Sequence, residues 1–543
     1  MRIQVLPRST GSSRDFYKIS LAVFIVIYVF LWLSKPLVKN ELDLAGHKTS
    51  IRLRDIVAID SISSSIVNES PSKEVADFTK HWCRQRRARR DWQAMILPCK
   101  NKMPWNSSRD IEKNATDPDA SFISLWDIRP AGQYSRFSIQ SQTKEGHPKL
   151  EGGDSWRVVI RGLSSISPTV IDHGNGTYEV LFLAMEAGVY KASVILDFTS
   201  CNGFKDPPVD WFIIGNVQGK YQRHPEVEGN KDYLQAPLWG GSPVELPIPP
   251  AKNANMSSIS KETMDRIRSK GCQVKCNFLW DGYGRWVRNI WKPHFKDIID
   301  TRPIGRKRGT LWVYGDSVNV FFAQSLVQRR ICRNIFKRCN FSYNWIYPVH
   351  NVTAAKRQYD NLDYNNEKVL ENFRRIVYDP QMDENSAIVL NFGLHFVEST
   401  NFTSYKKLIA GLVRVLKNDV TTNGTWRSYR GTVIWKTTTA INKEKASNIH
   451  LGHKRFITQQ ASDCELFAKP WLRHRILLYN SYATTQMCRA GFLVLDVFPI
   501  TDSYPQGTGT HGAHGPVKND IVHYSNLAFI PAEELLEEYF GGK

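Results

Sequence analysis

The chain from Gly309 to its C-terminal region alternates short apolar runs with longer segments of helical periodicity. The runs have the length of buried strands, and the segments place apolar residues three and four positions apart, as an amphipathic helix does. Strands that alternate with helices in this way form a mostly parallel sheet with helices on both faces. We therefore predict strands at 311–314, 387–391, 432–435 and 492–497, and helices at 318–330, 404–416, 471–489 and 531–540.

The two ends of this segment carry the residues of a serine nucleophile site. A Gly-Asp-Ser tripeptide ending at Ser317 follows the first predicted strand, and Asp520 lies three residues before His523. A serine hydroxyl is a poor nucleophile at neutral pH, so it needs a histidine to accept its proton and a carboxylate to orient that histidine. Ligands of parallel sheets bind at the carboxyl ends of strands, where Ser317 is expected. We predict Ser317 as nucleophile, His523 as general base and Asp520 as its orienting carboxylate.

These residues also have non-catalytic interpretations. Gly-Asp-Ser is a common turn sequence after a strand, and an Asp three residues before a His can be incidental. The pairs His450/His453 and His511/His514 lack an acidic partner at a recognised spacing, so no metal site is predicted. The sequence contains no Gly-x-Ser-x-Gly, His-Glu-x-x-His or phosphate-binding Gly-Lys motif, which argues against α/β-hydrolases, zinc proteases and P-loop enzymes.

Residues 118–200 have the pattern of a β-sandwich, since short alternating strands are separated by turn signals. A Gly-Gly-Asp strand start at 152–154, an Asp-x-Gly-x-Gly-Thr-Tyr hairpin at 172–178 and a Gly-x-Tyr strand at 188–190 follow one another in that order. These motifs resemble the filamin-type immunoglobulin-like repeat. The resemblance implies a spacer or binding module before the catalytic segment.

The last segment also resembles a known family. The tripeptide ending at Ser317, the sequence Asn-Phe-Gly-Leu-His at 391–395 and the Asp-x-x-His at 520–523 are similar to the PC-esterase branch of the GDSL/SGNH hydrolases. Together with the upstream repeat, residues 118–543 resemble the neurexophilin and PC-esterase domain family. The resemblance implies an SGNH-like α/β/α sandwich domain at 306–543 and acyl-ester chemistry on glycan hydroxyls.

The function implied by this resemblance is a serine acyl-esterase or O-acetyltransferase that acts on O-acetyl groups of glycans. Sialic acid is one candidate sugar, because a formal charge of +20 attracts anions. A glycan or glycoprotein is the expected partner, nucleic acid is not, and no cofactor is expected unless a transferase uses a donor such as acetyl-CoA. Gly393 and Asn391 are our oxyanion-hole candidates, although Asn391 is equally well explained as a strand-end turn former. The alternative function is a non-catalytic ectodomain that binds a glycan or a receptor.

The N-terminal region predicts a membrane anchor. Residues 19–34 are sixteen uncharged residues, and no small-x-small cleavage site follows them. Four basic residues precede this run and two follow closely, so residues 1–18 are expected in the cytosol and the bulk of the chain in the lumen. We predict a single-pass type II protein of the Golgi or another secretory-pathway membrane.

Nine cysteines and nine Asn-x-Ser/Thr sequons lie after the predicted anchor. The lumen permits disulfides, and an odd number of cysteines leaves at least one thiol without a partner in the same chain. Cys332–Cys339 and Cys464–Cys488 are predicted as local bridges. The sequence leaves the other pairings open.

Two further segments connect these parts. Residues 35–117 are polar and are predicted to form a stem, and residues 201–305 are a proline-containing connector with three cysteines. The basic run Arg84–Arg90 in the stem is interpreted as a solvated surface, because runs of charge usually are. The alternative is a cleavage site for a luminal dibasic-cutting protease, which would release a secreted form.

Overall fold

The computed structural model describes residues 72–104, 114–206, 233–251, 263, 272, 276–294, 308–344, 364–421, 423–442, 472–509 and 520–541. The helices are α1 Lys73–Ala88, α2 Trp92–Ile96, α3 Ser317–Gln328, α4 Asn366–Val377, α5 Leu394–Ser399, α6 Phe402–Asn418, α7 Leu472–Arg489, α8 Phe498–Asp502 and α9 Ile530–Gly541. The strands are β1 Asp117–Asp127, β2 Tyr134–Gln142, β3 Ser155–Arg161, β4 Ser165–Ile166, β5 Thr169–Asp172, β6 Thr177–Leu183, β7 Gly188–Phe198, β8 Ala236–Pro237, β9 Val244–Ile248, β10 Asn277–Trp280, β11 Gly284–Val287, β12 Ile290–Pro293, β13 Arg308–Gly315, β14 Phe336–Tyr343, β15 Ala387–Leu390, β16 Asp419–Val420, β17 Trp426–Arg427, β18 Thr432–Lys436 and β19 Leu493–Leu495.

Several predicted features lie outside the described residues. They are the anchor at 19–34, the histidines at 450, 453, 511 and 514, and Cys464. Within the described ranges, no helix is long and apolar enough to cross a bilayer. The same ranges hold no group of three or more His, Cys, Asp or Glu side chains placed to bind a metal ion.

The first folded region is a β-sandwich of two antiparallel sheets. One sheet has the order β1-β2-β6-β5, and the other has the order β12-β11-β4-β3-β7, with β8 and β9 both paired to β7. Side chains such as Phe137, Trp156 and Tyr178 fill the space between the sheets and are at most 2% exposed. Gly153 of the Gly-Gly-Asp motif has a φ of +103°, and a Cβ there would lie 2.3 Å from the sulfur of Cys201. Only glycine fits at this position.

The second folded region is built on a parallel sheet of six strands in the order β10-β19-β18-β15-β13-β14. From β13 the chain moves outward to β14 and then returns past β13 to form β15. The carboxyl end of β13 is therefore the point at which the winding direction changes. In sheets of this type, such a point forms a crevice in which ligands bind.

Helices cover both faces of this sheet. Tyr314 of β13 stacks on Phe373 of α4, with ring centroids 5.8 Å apart. Tyr314 is in register, through β15, with Trp435 of β18, so the next residue, Lys436, points to the opposite face. Lys436 lies there over the ring of Phe322 in α3, 5.4 Å from its centroid. The predicted alternation of strands and helices has produced a sheet between two helical layers.

The segment predicted as a connector, 201–305, contributes strands to both regions. Val244–Ile248 extends the sandwich through pairing with β7, and Gly284–Val287 pairs with β4. Asn277–Trp280 instead joins the edge of the parallel sheet, next to β19. The two regions therefore share this segment, which the sequence pattern did not indicate.

Four disulfides are present among the described residues: Cys83–Cys272, Cys99–Cys201, Cys276–Cys488 and Cys332–Cys339. The prediction of the Cys332–Cys339 bridge is confirmed. The prediction of a Cys464–Cys488 bridge is wrong, because Cys488 is bonded to Cys276, 212 residues earlier in the chain. This bridge ties the residue before β10 to α7.

The interpretation of Arg84–Arg90 as a solvated surface is wrong. The run forms the end of α1, and the guanidinium groups of Arg84, Arg86 and Arg89 bind carboxylates of the two folded regions. Arg84 binds Glu179 of the sandwich at 2.6 Å, and Arg86 binds Asp281 at 2.7 Å. The side chains of Arg86 and Glu179 are only 17% and 3% exposed. Three arginines of the run are therefore paired with largely buried carboxylates and are not part of a solvated surface.

The Cys83–Cys272 bridge also bears on release by proteolysis. Cys83 immediately precedes the basic run and is bonded to Cys272, 189 residues later. A cut within Arg84–Arg90 would leave Cys83, and all residues before it, covalently attached to the rest of the chain. Cleavage at this run alone would therefore not release a secreted form.

Glu533 of α9 is expected to make stability depend on pH. Its side chain is fully buried, and burial raises its pKa to about 7 from an ordinary value of 4.5, although Arg329 lies 3.5 Å away. The folded chain keeps this proton up to about pH 7, whereas the unfolded chain loses it near 4.5. The free energy of unfolding should therefore fall by up to about 3 kcal/mol as the pH rises through this window.

Urea unfolding of the wild type and of Glu533→Gln at pH 4.5, 6 and 7.5 would measure this effect. In Glu533→Gln, the free energy of unfolding should no longer show the part of the fall with pH that Glu533 causes. Glu534→Gln is the matched control, because the side chain of Glu534 is 63% exposed. Parallel pH profiles for the wild type and both variants would contradict the expectation.

Candidate active site

Ser317 lies at the carboxyl end of β13, where the winding of the sheet changes direction. It is the first residue of α3, and Asp316 caps this helix by accepting the backbone N–H of Val318 at 3.1 Å. Ser317 is half-buried, so its hydroxyl is held by the fold and still accessible. The helix N-terminus favours negative charge that develops beside the hydroxyl.

The three predicted residues lie in mutual contact. The Oγ of Ser317 is 2.8 Å from the Nε2 of His523, and the Nδ1 of His523 is 2.9 Å from a carboxylate oxygen of Asp520. A neutral imidazole with its proton on Nδ1 satisfies both contacts: it donates to Asp520 and accepts from Ser317. This is the arrangement that allows a histidine to take the serine proton.

Local interactions hold the histidine and its carboxylate in place. Asp520 accepts the backbone N–H groups of Val522 and His523 at 2.8 and 3.0 Å, which closes a tight turn. Burial alone would raise the pKa of Asp520, but these bonds and the contact with the imidazole outweigh it and lower the pKa. Asp520 therefore stays ionised and can stabilise an imidazolium. The ring of Phe321 packs edge-on against the imidazole at 5.2 Å and fixes its orientation.

Neighbouring backbone fixes the turn to the rest of the fold. The hydroxyl of Thr508 donates to the carbonyl of Asp520 at 2.6 Å, and the N–H of Gly509 donates to the carbonyl of His523 at 2.8 Å. Thr508 also forms a β-bridge with Tyr524. The catalytic turn is thus anchored from both sides.

Gly393 lies beside the nucleophile. A Cβ on Gly393 would be 2.2 Å from the side-chain oxygen of Asn391 and 2.8 Å from a carboxylate oxygen of Asp316. The same carboxylate accepts the backbone N–H of Leu394 at 3.1 Å. The Asn-Phe-Gly-Leu segment is therefore packed directly on the residue that precedes Ser317, and only glycine permits this approach.

The side chain of Asn391 is not positioned to donate a hydrogen bond to an oxyanion. Its side chain is 2% exposed, and its amide nitrogen donates to the carbonyl of Lys436 at 2.9 Å and to the hydroxyl of Thr438 at 3.2 Å. Both amide protons are in use, so this side chain has none left for an oxyanion. In this arrangement Asn391 joins β15 to the end of β18, and its carbonyl oxygen lies next to Gly393.

Tyr343 is a site residue that the sequence analysis missed. It ends β14 and is in register with Gly315 on β13, which brings its hydroxyl into hydrogen-bonding contact with the side chain and the backbone of Ser317. Burial and the nearby Asp316 raise the pKa of Tyr343 well above its ordinary value, while the contacts with Ser317 lower it less. The phenol therefore keeps its proton. The Ser317 N–H donates to the Tyr343 oxygen here, so an acyl oxygen that displaces this contact would lie close to both the N–H and the phenol O–H.

Replacement of Tyr343 by phenylalanine is expected to lower kcat for ester hydrolysis by about 10²-fold, the loss typical of one oxyanion donor. KM should change little, because the hydroxyl stabilises the transition state more than the bound ester. Steady-state kinetics on a chromogenic acetyl ester would measure both constants. Tyr364→Phe is the control, since the Tyr364 hydroxyl bonds to Asn366, outside the catalytic residues. An unchanged kcat in Tyr343→Phe would exclude the role.

A buried polar network lies on the face of the sheet covered by α3. Lys436 is 1% exposed, and its ammonium donates to the side-chain oxygen of Asn319 at 2.6 Å. Burial lowers the pKa of Lys436 to about 8, and attraction by Asp316 opposes that shift. The charge of Lys436 thus offsets that of the carboxylate next to Ser317.

The comparisons with known proteins concern the β-sandwich. The family model "Filamin/ABP280 repeat" matches residues 115–203. These residues form a filamin-type repeat. Among solved structures, the chain is similar to the Lin-41 filamin domain, with 11% identity over 25% of this chain and 98% of that chain and a TM-score of 0.16. It is also similar to invasin, a bacterial integrin-binding protein, with 16% identity over 16% of this chain and 17% of that chain and a TM-score of 0.14.

The match confirms the filamin-type sandwich predicted at 118–200. Its Asp-x-Gly-x-Gly-Thr-Tyr hairpin is the turn between β5 and β6, and its Gly-x-Tyr motif opens β7. Ser317, His523 and Asp520 lie outside the filamin-type repeat.

Proposed function

We propose that this protein is a luminal serine acyl-esterase or O-acetyltransferase that acts on O-acetyl groups of glycans. The observation that carries the proposal is the continuous contact from the hydroxyl of Ser317 through His523 to Asp520, at 2.8 and 2.9 Å. The placement of the serine at the switch point of a parallel sheet supports an SGNH-like domain of the PC-esterase type. Four disulfides support an oxidising compartment, consistent with a Golgi protein held by the predicted anchor.

The chemistry follows from the contacts. Ser317 Oγ attacks the acetyl carbonyl while His523 Nε2 takes its proton, and Asp520 stabilises the imidazolium. The negative oxygen of the tetrahedral intermediate is stabilised by the Ser317 N–H and the Tyr343 O–H, with the Gly393 N–H as a further candidate. Collapse breaks the ester bond, and His523 returns the proton to the departing sugar oxygen. Water or a second sugar hydroxyl then attacks the acyl-serine by the same steps in reverse.

The cellular test compares glycan O-acetylation by mass spectrometry in cells that make the wild-type chain, the Ser317→Ala chain or neither. We expect the wild type alone to change the acetylation of one class of sugar, upward for a transferase and downward for an esterase. The comparison requires that the Ser317→Ala chain be expressed at the same level as the wild-type chain. Identical glycan profiles in all three cell lines would contradict the proposal.

The second candidate is a non-catalytic ectodomain that binds a glycan or receptor. Its support is the filamin-type repeat, whose edge strand β1 exposes Phe122 and Trp126 at 41% and 48%. This candidate predicts that Ser317→Ala leaves both glycan acetylation and binding unchanged. Substitution of Trp126 by serine would instead weaken binding.

A further inference from the structure

A cavity of about 170 Å³ lies where α1, the filamin-type repeat and the parallel sheet meet. The carboxyl ends of β10, β18 and β19 form one wall, because Asp281, Thr437 and Asp496 directly follow these strands and line the cavity. This space would hold roughly ten water molecules. Aromatic and aliphatic side chains cover much of the rest, among them Trp156 and Phe278. The lining does not include the catalytic residues.

Two of the three arginines in the lining are paired with carboxylates. Arg86 binds Asp281 at 2.7 Å, and Arg89 binds Asp496 at 3.1 Å. Their charges are compensated within the protein. These two pairs also attach α1 to the ends of β10 and β19.

Arg90 is the exception. It is 8% exposed, its Nε donates to the carbonyl of Arg86 at 3.2 Å, and its guanidinium lies over the ring of Phe278. Among the described residues, no carboxylate lies within ion-pair distance of Arg90, and its two terminal nitrogens donate to no protein group. Burial lowers its pKa to about 10, and repulsion by Arg86 adds to the shift. The terminal nitrogens of Arg90 can therefore donate to an anionic ligand in the cavity, which would pair the charge of this largely buried guanidinium.

The other carboxylates of the lining are occupied. Asp154 binds Lys149 at 3.1 Å, and Asp91 accepts an N–H from the first turn of α2. Asp172 accepts two glycine N–H groups at 2.7 Å each, and burial raises its pKa. Among the described residues of this lining, Arg90 is therefore the arginine without a carboxylate partner, and one terminal nitrogen of Arg89 is also without a hydrogen-bond partner.

We propose that this cavity binds a small organic acid, with the carboxylate on the terminal nitrogens of Arg90 and the apolar body against the partly exposed side chains of Met95 and Leu477. The fork of two terminal N–H groups matches the two oxygens of one carboxylate. The apolar part of the lining and the volume of about 170 Å³ suit an apolar body of about the size of a benzene ring. The site is distinct from the catalytic residues and does not depend on the esterase assignment.

The test uses benzoate and benzamide, which differ in charge but hardly in shape. Isothermal titration of the purified full chain should give a dissociation constant at least about tenfold lower for benzoate, because a hydrogen-bonded charge is worth more than a neutral amide. Arg90→Gln should remove this preference. Arg87→Gln is the matched control, since it removes the same charge from the same helix end without touching the cavity lining. Ser317→Ala should bind benzoate as the wild type does.

Equal affinity for the two probes would overturn the proposal. So would the absence of benzoate binding at a concentration about ten times that needed to saturate a site with a dissociation constant of about 1 mM. Retention of the benzoate preference in Arg90→Gln would also overturn it. If Arg90→Gln does not fold, the ratio of the dissociation constants of benzoate and benzamide for the wild type still tests the proposal.

Discussion

Alanine at Ser317, at His523 or at both positions is expected to lower ester hydrolysis by nearly the same factor, about 10⁴-fold or more. The reason is that the two side chains act through one proton transfer, and the 2.8 Å contact between them is lost in every variant. Once the serine proton cannot reach the imidazole, removal of the second group costs little more. Asp520→Asn should lower the rate of ester hydrolysis by a factor roughly ten times smaller than the alanine variants do. The reason is that the imidazole can still accept the proton without its ideal orientation.

The measurement is kcat/KM for a chromogenic acetyl ester with the purified chain and each variant. His147→Ala serves as a control, because His147 is an exposed residue of the filamin-type repeat. A double variant whose loss is the product of the two single losses would show that Ser317 and His523 act independently, contrary to the account. Full activity in either single variant would contradict it as well.

The second large effect concerns the residue before the nucleophile. Asp316→Asn is expected to lower the free energy of unfolding by about 3 kcal/mol, because the buried Lys436 loses the carboxylate that compensates its charge. The substitution also weakens the bonds that Asp316 accepts from the N–H groups of Val318 and Leu394, at 3.1 Å each. The N-terminus of α3, and with it Ser317, should become less well positioned.

The double variant Asp316→Asn with Lys436→Met separates these contributions. It removes both charges and should recover about half of the lost stability, since an uncompensated buried charge is no longer present. Urea unfolding followed by tryptophan fluorescence would measure all three variants. If Lys436→Met in the Asp316→Asn background restores nothing, the loss comes from the helix cap alone, and the proposed compensation is wrong.

The sequence predicted the parts of the fold that rest on local pattern. The buried strands of the parallel sheet are short, almost wholly apolar runs, and Ser404–Leu416 shows one apolar face, so period and length identify them. The contact of Ser317, His523 and Asp520 was predictable because Asp520 and His523 are three residues apart and Ser317 follows an apolar strand. The glycines and turn residues of the filamin-type repeat are likewise local signals.

The features that were missed depend on contacts between distant parts of the chain. Arg86 binds the carboxylate of Asp281, 195 residues away. Nothing near the basic run in the sequence indicates that partner. Cys276 meets Cys488 only once β10 lies beside β19. Strand β14, which ends at Tyr343, mixes charged, polar and aromatic residues and does not have the pattern of a buried strand. The hydroxyl beside the nucleophile could therefore be found only from the register of β13 and β14.

The most direct test of the catalytic assignment is covalent labelling of the purified full chain with a fluorophosphonate, followed by peptide mapping by mass spectrometry. The account predicts one dominant adduct, on Ser317, that disappears in Ser317→Ala and falls by at least about 10³-fold in rate in His523→Ala. A folded chain that shows no adduct, or an adduct on Ser317 that forms equally fast without His523, would contradict it.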